Sequence, residues 1–216
     1  MSRRRRAGTI SAVRTIDIET PHGPARAHLR EAGAPRAALI LGHGAGGGVN
    51  APDLVAAAGV ALAQDIGVVL VEQPYRVAGR RSPAPARQLD AAWIAVIEHL
   101  RANDLAGLPL IAGGRSSGAR VACRTARETR AIGVLCLAFP LRPPRPPERE
   151  PAPSRLPELE AVPVPVLIVQ GARDPFGMPP AGPLREVAVV QGDHSLRSDL
   201  QATRSNVAAW LESVAG

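Results

Sequence analysis

The stretch LIAGGRSSGARVAC, Leu110 to Cys123, decides how the rest of the chain is read. A short apolar run enters two glycines, Gly-Arg-Ser-Ser-Gly comes next, and a helix-forming segment leaves. Gly114-Arg115-Ser116-Ser117-Gly118 fits G-x-S-x-G, a pattern that carries meaning where a strand turns sharply into a helix. Such a turn forces its central residue into a strained backbone and brings the residues two before and two after it into close approach. Side chains would clash there, so Gly114 and Gly118 frame Ser116. Framing Ser117 would require the bulkier Arg115 and Ala119 in the same places. Ser116 is therefore the candidate nucleophile; the alternative is a plain Gly-Ser turn whose serine caps the next helix.

Working outward, RAALILGHG, IGVVLVEQP, LPLIAGG, AIGVLCLAFP and PVPVLIVQG are short continuous apolar runs. Runs of this kind suit parallel strands buried on both faces. Ahead of them VRTIDIET and ARAHLRE alternate polar with apolar, as half-exposed antiparallel strands do. Helical patterns lie between: APDLVAAAGVALAQDI opens with Pro52-Asp53, a good first turn. ARQLDAAWIAVIEHLRAND places Leu89, Trp93, Val96, Ile97 and Leu100 on one stripe. SDLQATRSNVAAWLESVAG closes the chain, with Ser198 as the expected N-cap. The predicted fold is α/β: an open, mostly parallel twisted sheet of about eight strands, its first hairpin antiparallel, with helices on both faces.

The 216 residues suit a single domain, and an apolar content of 45% implies a packed core. With aromatics at 2%, that core must be built from Ala, Val, Leu and Ile. Residues 1–8 read as a disordered basic N-terminus, and 9–216 as one domain. The Pro-rich run PLRPPRPPEREPAPSRLPELEAVPVP, from Pro140, excludes regular structure through most of its length. The chain beyond this run is too short to form a core of its own. Residues 140–163 are therefore expected to pass as an excursion over one end of the sheet.

The net charge of +7 raises nucleic-acid binding, but all 26 basic residues are Arg and most are scattered. Stacking aromatics are scarce, so no nucleic-acid partner is expected. SRRRR resembles a twin-arginine opening, yet no apolar stretch comes after it. No run approaches the ~18 apolar residues of a membrane span, so a cytoplasmic protein without membrane partners is expected. Cys123 and Cys136 have no metal-type spacing and read as buried, unreactive thiols.

In sheets of this kind functional groups gather at the carboxyl ends of the strands. Ser116, Asp174 and His194 each stand just past an expected strand, in the chain order Ser, acid, His. A serine hydroxyl is a weak nucleophile until an imidazole takes its proton and a carboxylate holds that imidazole in the useful tautomer. Asp193 is too close along the chain to His194 for that role, and Glu148 and Glu150 rank below Asp174 as the acid. His22, His28 and His99 have no partner in the pattern. GHGAGGG, after the first buried strand, lacks the Lys-Ser/Thr of a phosphate loop. It is expected to supply an oxyanion donor at Ala45 or Gly44, with Ser117 N–H as the other and His43 shaping the loop.

These features together resemble an α/β-hydrolase without a cap, and more closely its small dienelactone-hydrolase-like branch. That branch includes the family shared by testis-expressed protein 30 and the third subunit of a non-specific-lethal histone acetyltransferase complex. The likeness rests on LGHGAGG, VEQPYRVAGRR, GGRSSGAR, LAFPLRPP, VQGARDPFG and GDHSL, in that order, from about Leu39 to Leu196. It implies a serine hydrolase acting on esters, thioesters or lactones through Ser116, Asp174 and His194, with no metal or organic cofactor. In the family the residue after the nucleophile is often Met and the one after Gly118 often Gly; here they are Ser117 and Ala119. The Pro-rich excursion stands where larger relatives carry a cap, so an open, shallow site for small acyl substrates is expected. Arg115, Tyr75, Pro140 and Phe176 are candidate substrate contacts. Arg76, Arg80, Arg81, Arg115, Arg142, Arg145 and Arg173 gather near strand carboxyl ends, where they either bind an anionic acyl substrate or are the default surface residue of a chain without Lys. The alternative function is a non-catalytic interaction module within a larger assembly.

Overall fold

The computed structural model describes residues 13–146 and 148–216, so the expected disordered segment 1–8 lies outside the described residues. The elements follow in chain order as β1 (Arg14–Ile18), β2 (Ala25–Arg30), β3 (Ala37–Gly42), α1 (Pro52–Ala63), β4 (Ile66–Glu72), α2 (Pro74–Val77) and α3 (Ala86–Ala102). Then come β5 (Leu110–Arg115), α4 (Ser117–Arg124), β6 (Gly133–Leu137), α5 (Leu156–Glu160), β7 (Val166–Gly171), β8 (Arg185–Val190) and α6 (Leu200–Ala215). The sheet has eight strands in the order β1-β2-β4-β3-β5-β6-β7-β8. β2 runs antiparallel to β1 and β4, and every other pair is parallel.

The central strands divide their side chains between two cores, as the period of two along a strand requires. Ala38, Ile40, Val69, Val71, Ala112, Val134, Cys136 and Ile168 face α3 and α4. Leu39, Leu41, Val68, Leu70, Ile111, Leu135, Leu167 and Val169 face α1 and α6. All five residues of the predicted α3 stripe are buried in the first core, Trp93 beneath the end of β3. On the other face Ala57, Ala58 and Ala61 of α1 pack without bulk, so helix and sheet approach closely in a chain with few aromatic residues to fill space.

The N-cap of α6 is Asp199, whose carboxylate accepts from Ala202 N–H at 3.0 Å, and not Ser198 as the sequence suggested. A 3₁₀ turn at Arg197–Asp199 carries the chain one residue further before the helix begins. Between β6 and β7 the Pro-rich excursion forms one short helix, α5. Glu158 of α5 takes a bidentate pair from Arg120 at 2.9 and 2.5 Å, and Arg124 bridges Glu158 and Asp90. The base of the excursion is closed by Arg155, which donates to the carbonyls of Pro140 and Leu141. Cys123 and Cys136 are both buried with sulfurs 3.5 Å apart; that contact and burial push the Cys136 thiol well above the usual range. No helix among the described residues is long and apolar enough to cross a membrane.

Candidate active site

The turn from β5 into α4 carries the backbone strain that G-x-S-x-G implies. Ser116 sits at φ 52°, ψ −107°, a region costing a non-glycine residue about 1–3 kcal/mol. Its side chain makes no helix-capping bond. Instead its Oγ lies 2.9 Å from His194 Nε2. His194 Nδ1 lies 2.8 Å from Asp174 Oδ2, so the partners assign the proton to Nδ1 and leave Nε2 to accept from the serine. The strain is held because α4 packs against the end of β3: a Cβ at Gly118 would lie 2.3 Å from the Gly42 carbonyl oxygen.

Asp174 comes after β7 in a turn closed by its own N–H on Gly171 O and by Gly177 N–H on its carbonyl. Its side chain is nearly buried, and its second oxygen accepts from Phe176 N–H at 2.8 Å. Gln170, fully buried, donates from Nε2 to Asp174 Oδ2 at 2.8 Å and toward the carbonyls of Phe139 and Gly177. Sequence reasoning missed this role: as the last residue but one of β7, Gln170 reads as an ordinary strand end. His194 sits past β8 in a turn shaped by Asp193, whose carboxylate accepts from both N–H and Oγ of Ser195. Those bonds hold the Asp193 carboxyl below its ordinary range. Glu148 and Glu150 are exposed on the excursion.

The GHGAGGG loop is wired from behind. His43 is buried and donates from Nδ1 to Gly44 O at 2.8 Å while its Nε2 accepts from Gln73 N–H at 3.1 Å. Desolvation pushes its pKa down, which keeps Nε2 free to accept. Tyr75 OH donates to Ala45 O at 2.9 Å, and its ring meets His43 edge-on. A trans peptide points its N–H opposite to its C=O. With the Gly44 carbonyl pulled toward His43, the Ala45 N–H of the same peptide faces the other way. It donates to no protein acceptor among the described residues. Ser117, first residue of an eight-residue helix, likewise has no intrahelical acceptor for its N–H. The Gly44 N–H also donates to no protein acceptor among the described residues, so both loop amides are free to meet a negative charge.

Two expected substrate contacts are buried. Tyr75 is 2% exposed and serves the loop through its hydroxyl, and Pro140 is buried at the end of β6, so neither offers surface to a substrate. Phe176 is half-buried with its ring 4.3 Å from the His194 imidazole, where it walls one side of the base. Arg115 is turned toward Asp53, at 3.0 Å. Arg80, Arg81, Arg142, Arg145 and Arg173 are exposed. Among the described residues no cluster of three or more His, Cys, Asp or Glu is placed to hold a metal ion.

The wiring of the loop predicts the effect of Tyr75→Phe. Removing the hydroxyl releases the Ala45 carbonyl, so the folded protein should lose about 1 kcal/mol of stability, the worth of one hydrogen bond. Urea unfolding checks this; an unchanged stability would mean that His43 alone fixes the loop.

Residues 35–215 match the family described as "Alpha/beta hydrolase domain". No curated protein sequence matches the chain. Among solved structures, a serine hydrolase without lid from Xanthomonas campestris is similar at 17% identity and TM-score 0.75, covering 93% of this chain and 94% of its own. Dienelactone hydrolase from Anabaena variabilis is similar at 14% identity and TM-score 0.74, with coverage of 95% and 99%. The Pyrococcus furiosus esterase Pf2001 is similar at 15% identity and TM-score 0.76, with coverage of 95% and 94%. At these identities the likeness is one of fold: a mostly parallel eight-stranded sheet without a lid.

Proposed function

The chain belongs to the alpha/beta hydrolase domain family, and from that premise we propose that it is a serine hydrolase acting on small acyl esters. The observation that carries this reading is the hydrogen-bonded run Ser116 Oγ–His194 Nε2 and His194 Nδ1–Asp174 Oδ2, at 2.9 and 2.8 Å. Ser116 Oγ attacks the acyl carbonyl as His194 Nε2 takes its proton. The carbonyl oxygen becomes an oxyanion facing the Ala45 and Ser117 amides. His194 then hands the proton to the leaving alcohol, thiol or ring oxygen. Water, deprotonated by the same imidazole, attacks the acyl-enzyme and frees Ser116. Each backbone donor aimed at the oxyanion is worth about 10²–10³ in rate.

Several finer readings belong to the proposal. The chain is placed in the dienelactone-hydrolase-like branch, with the testis-expressed protein 30 and non-specific-lethal subunit 3 family, on its motifs from LGHGAGG to GDHSL. Residues 9–216 are taken as one domain, cytoplasmic, without nucleic-acid, membrane or cofactor partners. An anionic acyl substrate is supported by the exposed Arg142 and Arg173 on the loops after β6 and β7. An exposed Arg acts through solvent, so carboxylate-bearing esters should be hydrolysed only several-fold faster than neutral esters of equal length, and the preference should shrink with salt.

A fluorophosphonate probe tests the central claim, because it reacts with an activated serine. The folded protein should label at Ser116 and lose ester turnover in proportion. A folded protein that does not label would favour the non-catalytic interaction module.

A further inference from the structure

Arg115 occupies the variable place beside the nucleophile, and its guanidinium reaches three separate segments. Nε lies 3.0 Å from Asp53 Oδ2 at the start of α1. Nη2 donates to the main-chain carbonyl of His194 at 3.2 Å, across 79 residues of sequence. Nη1 runs beneath the oxyanion loop so closely that a Cβ on Gly44 would stand 2.8 Å from it. The group is therefore in contact with the base loop, the oxyanion loop and, through its own backbone, the nucleophile.

Asp53 explains why the side chain stays there. It is 0% exposed, with Oδ1 accepting from Leu54 N–H. A carboxylate removed from water needs a cation, and Arg115 is the ion-pair partner it has among the described residues. Burial still pushes Asp53 above the usual carboxylate range, against the pull of Arg115. Only a planar, multi-donor head can serve Asp53, the His194 carbonyl and the space under Gly44 together; a lysine ammonium is a point charge and reaches one of them at a time.

We propose that Arg115, anchored by Asp53, is a positioning residue that fixes the main chain of His194 against the Ser116 turn and the Ala45 loop, and that it does not bind substrate. This rests on the serine-hydrolase reading and deepens it. Arg115 does line a cavity of about 560 Å³ with Gly47, Ser195 and Arg197, the place from which a substrate contact would be made. Its charge, however, is already matched by Asp53, and its Nη2 is held by the His194 carbonyl. A displacement of about 1 Å at reacting groups costs as much as 10²-fold, so the effect of losing it should fall on kcat.

The experiment compares Arg115→Met, Arg115→Lys, Asp53→Asn and the double variant Asp53→Asn/Arg115→Met with the wild type, on p-nitrophenyl acetate, a small neutral ester. Arg204→Met, which removes an exposed cation on α6, serves as the control for loss of charge. Arg115→Met should lower kcat by about 10- to 100-fold with KM within about twofold. Lysine should recover part of the loss, and Asp53→Asn should also lower kcat. The double variant should be no worse than the poorer single variant, because the two act through one contact. Arg204→Met should be unchanged. A raised KM at constant kcat in Arg115→Met would overturn the proposal in favour of substrate binding, as would losses that multiply in the double variant. The low-field proton resonance of His194 Nδ1–H gives a readout that needs no turnover. It should be present in the wild type and weakened by exchange in Arg115→Met. If the wild type shows that resonance yet hydrolyses no ester and does not label, the hydrolase reading fails while the positioning claim is still decided by the resonance. A resonance identical in Arg115→Met overturns the positioning claim.

Discussion

Ser116→Ala should lower turnover of p-nitrophenyl acetate by at least about 10⁴-fold while the sheet stays folded. The substitution removes the Oγ that sits 2.9 Å from His194 Nε2 and leaves Asp174, Ala45 and Ser117 in place. The residual rate is catalysis by the imidazole and the oxyanion donors acting on water, which in serine hydrolases retains a small fraction of the whole. The same position predicts a stability effect of definite sign. Alanine inherits the backbone at φ 52°, ψ −107°, whereas glycine adopts it freely. Ser116→Gly should therefore be more stable than Ser116→Ala by about 1 kcal/mol, part of the relieved strain being offset by glycine's larger unfolded-state entropy. Urea unfolding of the two inactive variants reads the difference. Retained turnover in Ser116→Ala would remove this serine as nucleophile, and equal stabilities would show that the turn stores no strain there.

How much of the fold and site is legible in the sequence depends on how far apart the cooperating residues stand. The continuous apolar runs announced β3 to β7 because a strand buried on both faces leaves a local mark. The Leu89–Leu100 stripe announced α3 in the same way. The turn at Ser116 was legible because its steric demand falls on Gly114 and Gly118, two places to either side. α2 and α5, at four and five residues, are shorter than the repeat that would reveal them. The ion pair of Asp53 with Arg115, the donation of Tyr75 to Ala45 and the hold of Gln170 on Asp174 left no signature. The first two arise only when the sheet order puts β3 between β4 and β5 and so brings distant loops to one edge. Gln170 reaches back over the turn to a residue four places on, a fold of the chain that no local pattern marks. Tyr75 and Arg115 were singled out as residues near the site, but proximity could not say that one faces inward to the loop and the other to a buried carboxylate.

The site stands on a close approach of backbones, and this gives the second large effect. Gly118→Ala should cost about 3 kcal/mol or more and lower kcat by a further order of magnitude or two. The added Cβ would lie 2.3 Å from Gly42 O, 2.5 Å from Gly42 C and 2.9 Å from His43 O. These are backbone atoms of β3 and the oxyanion loop, and none can swing aside as the end of a flexible side chain would. Gly42 itself has no room to retreat, since a Cβ there would already touch Trp93 at 3.3 Å. On the other side Gly114 is equally confined, its own Cβ position lying 2.7 Å from the Gly118 carbonyl carbon. Relief therefore requires α4 to lift from the sheet, and lifting α4 carries the Ser117 N–H and Ser116 with it. Stability and rate should fall together, with Tm lower by about 6–12 °C for a chain of this size. Ala119→Gly, one residue along in the same helix, supplies the contrast: it adds no clash and should cost about 1–2 kcal/mol, from helix propensity and the loss of one buried methyl. Thermal unfolding and ester kinetics on both variants separate the two. If Gly118→Ala melted and turned over like the wild type, α4 would be free to back away. The glycines of G-x-S-x-G would then not be what holds Ser116 in its strained turn, and the triad geometry would have to be set from the His194 side alone.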